Sequence, residues 1–192
     1  MRSGPEIYHP TIWRTCRALM NERRLACLSV VSKTPGLSVG AIAEEAGMPE
    51  NQASINLRAL QARGLLAARR DGRWIRYFAE ADPLVKHAST VLKAVSRELT
   101  SAGETEHVLE TLRAFTHSRR LTILRCLIRQ SGATCEAIVR RTRISRPAVC
   151  RHLGTLCRAG LVVPTSDGAW RLVARRRLSA LRLTLLDVAA HG

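Results

Sequence analysis

The spacing of apolar residues predicts a chain made mostly of short amphipathic helices. The clearest case is Ile144–Pro164, where an apolar stripe recurs at i, i+4 and i+7. The stripe consists of Val149, Leu153 and Leu156. Ser145 and Pro147 suit the first turn, because a Ser side chain can cap free N–H groups and Pro has none to leave unpaired. Gly160 is expected to end the helix. The opposite face carries polar residues: Arg146, Cys150, Arg151, His152, Thr155 and Arg158.

Similar patterns predict five helices and one β-hairpin in the first half of the chain. The helices are predicted at residues 10–20, 23–33, 39–46, 50–63 and 82–100. Asp71-Gly72 separates two strand-like runs and is a strong signal for a two-residue hairpin turn, so residues 65–79 are predicted to form a hairpin. Residues 1–9 are expected to be an arm ahead of the first helix.

The same order of elements then begins again. A shift of 96 residues aligns residues 12–78 with 108–174 without a gap. Identical residues fall at core, cap and turn positions, and they include Leu25/Leu121, Leu57/Leu153, Gly64/Gly160, Asp71/Asp167 and Trp74/Trp170. We interpret the chain as a duplication in which each copy is one winged helix-turn-helix, with domains at residues 1–100 and 101–192. Both Trp rings are expected to pack a wing onto its domain, and the alternative is that they stack on bases.

Composition and charge indicate what kind of partner the protein binds. The 192 residues carry a net charge of +16, and 46% of them are hydrophobic, so a packed core and an acidic partner are both expected. Double-stranded DNA is the first candidate and an anionic membrane the second. The N-terminus does not resemble a signal peptide, no apolar run could span a bilayer, and the six Cys form no C-x-x-C pair. We therefore expect a cytoplasmic protein without membrane association.

Several stretches resemble one family of regulators. ISRPAVCRHLGTLCRAGLV resembles the recognition-helix signature of the arsenic-resistance-repressor (ArsR) family of winged-helix proteins. GMPENQASINLRALQARGLL followed by RRDGRWIRYF resembles that family's helix and wing, while RALMNERRLACLSVV and RAFTHSRRLTILRCL resemble its second helix. Related regulator families share these motifs.

The resemblance covers nearly the whole chain twice and implies a dimeric transcriptional repressor. In that family the first and fifth helices form the dimer interface. With both copies in one chain, the expected fold is mainly α with small β-hairpin wings. The two tandem winged helix-turn-helix domains are expected to form a pseudo-two-fold intrachain dimer. The protein is expected to be monomeric in solution, with further dimerisation left open.

The resemblance also implies which side chains contact DNA. In the second copy the groove-facing residues would be Ser145, Arg146, Cys150, Arg151 and His152. In the first copy the same positions hold Pro49, Glu50, Ser54, Ile55 and Asn56, with Gln52 one turn before Asn56. Arg can read guanine, and Gln or Asn can read adenine. The wings would contribute Arg69, Arg70, Arg73 and Arg76 from the first copy and Arg171 from the second.

The flanking helices of the two copies differ in charge. The first copy has acidic residues there, and the second has basic ones: Glu44 and Glu45 against Arg140, Arg141 and Arg143. Because phosphate attracts cations and repels carboxylates, the second copy is expected to supply most of the affinity for DNA.

One residue suggests regulation. Cys150 stands where the first copy has Ser54. A thiol that faces DNA beside Arg146 and Arg151 is a candidate for oxidation, which would block docking. The alternative is that Cys150 only replaces Ser. No metal and no other cofactor is predicted, because Asp82, His87, His107 and Glu110 match no metal-binding spacing.

Together these patterns predict a sequence-specific DNA-binding transcriptional regulator, most simply a repressor, that acts as a single-chain pseudo-dimer. Two alternatives remain: a tandem winged-helix replication-initiation or partition protein, and a protein-interaction scaffold that has lost DNA contact. Residues 36–40 match the G-x-S-x-G string of hydrolases, but a helix precedes them and Ser38 suits a helix cap. No enzymatic activity is expected.

Overall fold

The computed structural model describes residues 12–101, 105–130 and 132–191. The expected N-terminal arm lies outside these residues. The described helices are α1 Ile12–Leu19, α2 Glu22–Lys33, α3 Val39–Glu45, α4 Glu50–Gln61, α5 Ala88–Ser101, α6 Thr105–Ala114, α7 Ser118–Arg129, α8 Cys135–Thr142, α9 Arg146–Arg158 and α10 Ala180–His191. The strands are β1 Leu37–Ser38, β2 Ala67–Asp71, β3 Trp74–Phe78, β4 Ala133–Thr134, β5 Val162–Pro164 and β6 Ala169–Leu172. This mainly helical architecture with small antiparallel sheets fits a winged helix.

The strands form two small sheets, one in each half of the chain. Their orders are β1-β3-β2 and β4-β6-β5, and all pairings are antiparallel. In each sheet the short first strand leads directly into a helix, whose first free N–H groups are capped. Ser38 accepts from the Ala41 N–H, and Thr134 accepts from the Ala137 N–H. These caps fix the start of α3 and of α8.

The gapless alignment of the two halves fails in the wings. β1 places Leu37 opposite Tyr77, whereas β4 places Ala133 opposite Trp170. Tyr77 is therefore the structural counterpart of Trp170, and the first hairpin is the longer of the two. Trp74 lies at the tip of that hairpin and is 48% exposed, so its expected packing onto the domain is wrong. Trp170 is half-buried and packs against the core, as expected.

The fifth helix begins later than predicted. α5 starts at Ala88 rather than near Asp82, because the intervening residues form turns. The Asp82 carboxylate accepts from the Leu84 N–H, and the Asp82 N–H donates to the Gly64 carbonyl. His87 has a φ of 64°, a left-handed conformation that a right-handed helix cannot contain.

The two halves share one hydrophobic core. α1 packs against α6, and α5 packs against both α6 and α10. The apolar residues that fill this junction come from both sides, and they include Cys16, Leu92, Val95, Leu112, Leu181 and Leu185. Because these side chains are buried together, the halves are expected to unfold as a unit. A two-fold relation between the halves stays a prediction.

No helix within the described residues is both long enough and apolar enough to cross a lipid bilayer.

Candidate nucleic-acid interface

The second helix-turn-helix, formed by α8 and α9, presents the most basic exposed helix face. Val149, Leu153 and Leu156 are fully buried, which confirms the predicted apolar stripe of α9. Most of the opposite face is open to solvent, although Thr155 on it is half-buried. Its exposed residues are Ser145, Arg146, Cys150, Arg151 and Arg158. Ser145 occupies the N-cap position, but its side chain makes no capping hydrogen bond, contrary to the prediction.

Further cations flank this face. Arg140, Arg141 and Arg143 at the end of α8 are all exposed. Glu136 lies on the same helix, and its carboxylate is 3.0 Å from the Arg146 guanidinium. Both partners of this pair are largely exposed, and such pairs contribute little to stability. Arg146 can therefore exchange this carboxylate for a phosphate or a base at low cost.

His152 was predicted to face the groove, and this prediction is wrong. Its side chain is only 5% exposed and lies beside His117, with the ring centroids 4.9 Å apart. Its Nε2 has no hydrogen-bond partner. Burial, together with the charge of His117 and of nearby arginines, lowers the pKa of His152 to about 4. His152 is thus a neutral core residue at pH 7.

The lowered pKa predicts a loss of stability in acid. Below about pH 6.5 the unfolded chain takes up a proton at residue 152, whereas the folded chain resists it until about pH 4. The free energy of unfolding should therefore fall as the pH falls through this window. His152→Asn is the matched variant, because Asn56 holds the corresponding position in α4. Urea unfolding at pH 7, 6, 5 and 4 should show that the free energy of unfolding declines less steeply for the variant than for the wild-type protein. Equal declines would contradict a lowered pKa of His152.

The first helix-turn-helix, formed by α3 and α4, engages two of its predicted contact residues in internal hydrogen bonds. Asn56 is only 6% exposed, and its amide donates to the Gln52 carbonyl at 2.9 Å, so its predicted place on the groove face is wrong. Gln52 is half-buried, and its side-chain oxygen accepts from Arg23 at 2.9 Å. In this conformation Asn56 is turned away from any base, and the Gln52 side-chain oxygen is already bound to Arg23. Ser54 is half-buried.

The exposed face of α4 has a different character from that of α9. It carries Glu50, Asn51, Ile55 and Arg58, and Ile55 is 59% exposed. Arg58 was not predicted as a contact residue, and it lies one turn beyond Ser54 and close to the hairpin. Its spacing from Asn51 and Ile55 places all three on one helix face, and that periodicity was available in the sequence.

Arg58 and the first wing enclose a basic cleft of about 580 Å³ between α4 and the β2–β3 hairpin. Its other basic residues are Arg69, Arg70 and Arg73, which were predicted as wing contacts and are exposed. Arg69 is paired with Glu80 and stacks on Phe78, and Arg76 is paired with Asp71. Arg73 lies over the Trp74 ring at 5.0 Å. Within the part of the chain that the structure describes, no carboxylate pairs with Arg70 or Arg73.

The second wing is shorter and less basic. Arg171 on β6 is exposed, as expected for a phosphate contact. Three arginines beyond β6 form a short 3-10 helix at residues 175–177. Arg175 makes two hydrogen bonds to the Asp187 carboxylate, at 2.8 and 2.9 Å. This pairing ties the 3-10 helix to α10.

None of the six cysteines is in a disulfide bond. Cys150 is exposed on α9, where it was predicted, and Cys16 and Cys27 are buried. Burial raises the pKa of Cys27 to about 11 and places that of Cys16 higher still, so both stay protonated.

Across residues 12–101, 105–130 and 132–191, no group of three or more His, Cys, Asp or Glu side chains is arranged to hold a metal ion.

Comparison with known proteins bears on the second half of the chain. Residues 116–176 match the model of the MarR family. This range contains α7, α8, α9 and the β5–β6 hairpin. A MarR-family domain is typical of DNA-binding transcriptional regulators, which supports a winged helix-turn-helix regulator. The expected likeness was to the ArsR family, so the match agrees with the fold class and differs in the family. No curated protein matches the chain.

A solved structure corrects one expectation. The chain is similar to the crystal structure of human N-acetylserotonin methyltransferase in complex with SAM, at 13% identity and a TM-score of 0.33. The similarity covers 75% of this chain but 43% of that one. Because the matching structure is an enzyme, the expectation of no enzymatic activity is contradicted and is withdrawn. The low TM-score supports no particular activity for this chain.

Proposed function

We propose that the protein is a sequence-specific regulator of transcription, most simply a repressor, that binds double-stranded DNA through α9. The exposed basic face of α9 carries this proposal, because Arg146 and Arg151 project from a helix whose other side is fully buried. A rigid helix with an outward cationic face suits the major groove. The arginines at the end of α8 would contact the adjacent phosphates.

We further propose that the two halves act as an unequal single-chain pair. The first helix-turn-helix exposes Glu44, Glu45 and Glu50, which phosphate would repel. Its cations lie instead in the cleft between α4 and the first wing. This half is therefore suited to backbone contact through Arg58, Arg70 and Arg73, while α9 supplies most of the base contacts. Such a pair would prefer an asymmetric site.

The proposal is tested by binding to duplex DNA at several salt concentrations. Fluorescence anisotropy with a random 30-base-pair duplex should give binding that weakens steeply with salt, with a slope of about −0.9 per neutralised phosphate in a log–log plot. Selection from a random library should then yield a preferred site without full dyad symmetry. Absence of binding at low salt would contradict the proposal and favour the alternative of a protein-interaction scaffold.

A further inference from the structure

Two cysteines of the second helix-turn-helix lie side by side. Cys135 is the first residue of α8, and Cys150 lies in α9, one turn after Arg146. The Glu136–Arg146 contact at 3.0 Å shows that the start of α8 lies beside this part of α9. The Cys135 thiol is close enough to the Cys150 thiol and to Trp170 to interact with both. Trp170 is brought there by β6, where it pairs with Ala133.

The two thiols differ in their environment. Cys150 is exposed on the outer face of α9, whereas Cys135 is half-buried between α8, α9 and β6. Burial and the neighbouring Cys150 raise the pKa of Cys135, so this thiol stays protonated in the resting protein. An oxidant in solution therefore meets Cys150 first, and Cys135 is placed to react second.

We propose that Cys135 and Cys150 are a site of oxidative modification, where peroxide forms a reversible disulfide that weakens DNA binding by α9. The Cys150 thiolate attacks hydrogen peroxide, which forms an S–O bond, breaks the O–O bond and leaves a sulfenic acid and hydroxide. The hydroxide becomes water by taking up the proton that the thiol released. Cys135 then attacks the Cys150 sulfur, which forms the S–S bond, breaks the S–O bond and releases a second water. The two thiols lose two electrons in total, and hydrogen peroxide gains them.

The disulfide would alter the exposed face of α9. An S–S bond is about 2.05 Å long and fixes the Cβ atoms about 3.8 Å apart, so the Cys150 side chain must turn towards α8. The bond also locks the relative position of two helices that must fit one groove together. This second consequence rests on the proposed function, whereas formation of the disulfide does not.

Mass spectrometry of the full-length protein tests the chemistry. After treatment with a small excess of hydrogen peroxide and trapping of remaining thiols, the wild-type protein should lose two hydrogen atoms, about 2 Da. Peptide mapping should join residue 135 to residue 150, and dithiothreitol should reverse the bond. Cys135→Ser should give a sulfenic acid at residue 150 instead. Cys126→Ser and Cys157→Ser are the matched controls and should form the disulfide normally.

Binding to duplex DNA is measured on the same samples. Oxidised wild-type protein should bind about tenfold or more weakly than reduced protein, a change of the size expected for one lost base contact. Cys150→Ser should bind equally well before and after treatment. The proposal is overturned if no bond joins residues 135 and 150, or if the bond forms and affinity is unchanged. Reduced protein that binds no duplex would contradict the proposed function, and the mass measurement would still decide whether the disulfide forms.

Discussion

Replacement of Leu153 by Ala is expected to lower the free energy of unfolding by about 2–5 kcal/mol. Leu153 is fully buried in the middle of the α9 stripe, where the helix packs on α7 and α8. The substitution removes apolar contacts and leaves a cavity that the surrounding helices cannot fill completely. Denaturant unfolding followed by circular dichroism measures the change as a shift of the midpoint with little change in slope.

Two variants of α4 serve as controls for this result. Leu57 corresponds to Leu153 in the first half and is equally buried, so Leu57→Ala should cost a similar amount. Ile55 is mostly exposed, so Ile55→Ala should change stability by no more than about 0.5 kcal/mol. Because the core continues through α5, α6 and α10, each variant should unfold in one transition. Two separated transitions would show that the halves fold independently.

The helices could be predicted well because their core residues recur with the helical period. The stripe of Val149, Leu153 and Leu156 required only that apolar residues turn inward, and the structure buries all three. The hairpins followed from Asp-Gly turns between strand-like runs. Such signals are local, so a single sequence contains them in full.

His152 and Asn56 were wrongly predicted to face the groove. Their polar side chains were given more weight than their positions on the helix. His152 lies three residues after Val149 and four before Leu156, which are inward positions of the same helix. Asn56 has the same relation to Ala53 and Leu60. A polar residue at such a position points outward unless something inside accommodates it, and here His117 and the Gln52 carbonyl do so. Those neighbours depend on tertiary packing.

The wings show a second kind of error. The Asp-Gly pairs align without a gap, and this match placed Trp74 and Trp170 at the same repeat position. Pairing with the short strands β1 and β4 decides the register instead, and it makes Tyr77 the counterpart of Trp170. Likewise, the contact between Cys135 and Cys150 arises from the packing of α8 on α9. No pattern in the sequence indicates that these two cysteines are neighbours.

Replacement of Arg151 by Ala is expected to weaken binding to the preferred duplex by about 1–3 kcal/mol, or roughly 5- to 150-fold. Arg151 is exposed on the face of α9 opposite the buried stripe, and its guanidinium can donate two hydrogen bonds to a guanine. Anisotropy titrations on the selected site and on a random duplex measure the two affinities. The loss should be larger on the selected site, because base contacts are lost there together with charge.

Three further variants separate charge from base recognition. Arg151→Lys keeps the charge without the planar fork, so it should restore binding to the random duplex more than binding to the selected site. Arg97→Ala removes an exposed cation of α5, outside both helix-turn-helix units, and should change affinity little. Arg58→Ala should cost less than Arg151→Ala on the selected site, since α4 is expected to contact mainly phosphates. Equal losses from Arg58→Ala and Arg151→Ala would contradict an unequal division of DNA recognition between the two halves.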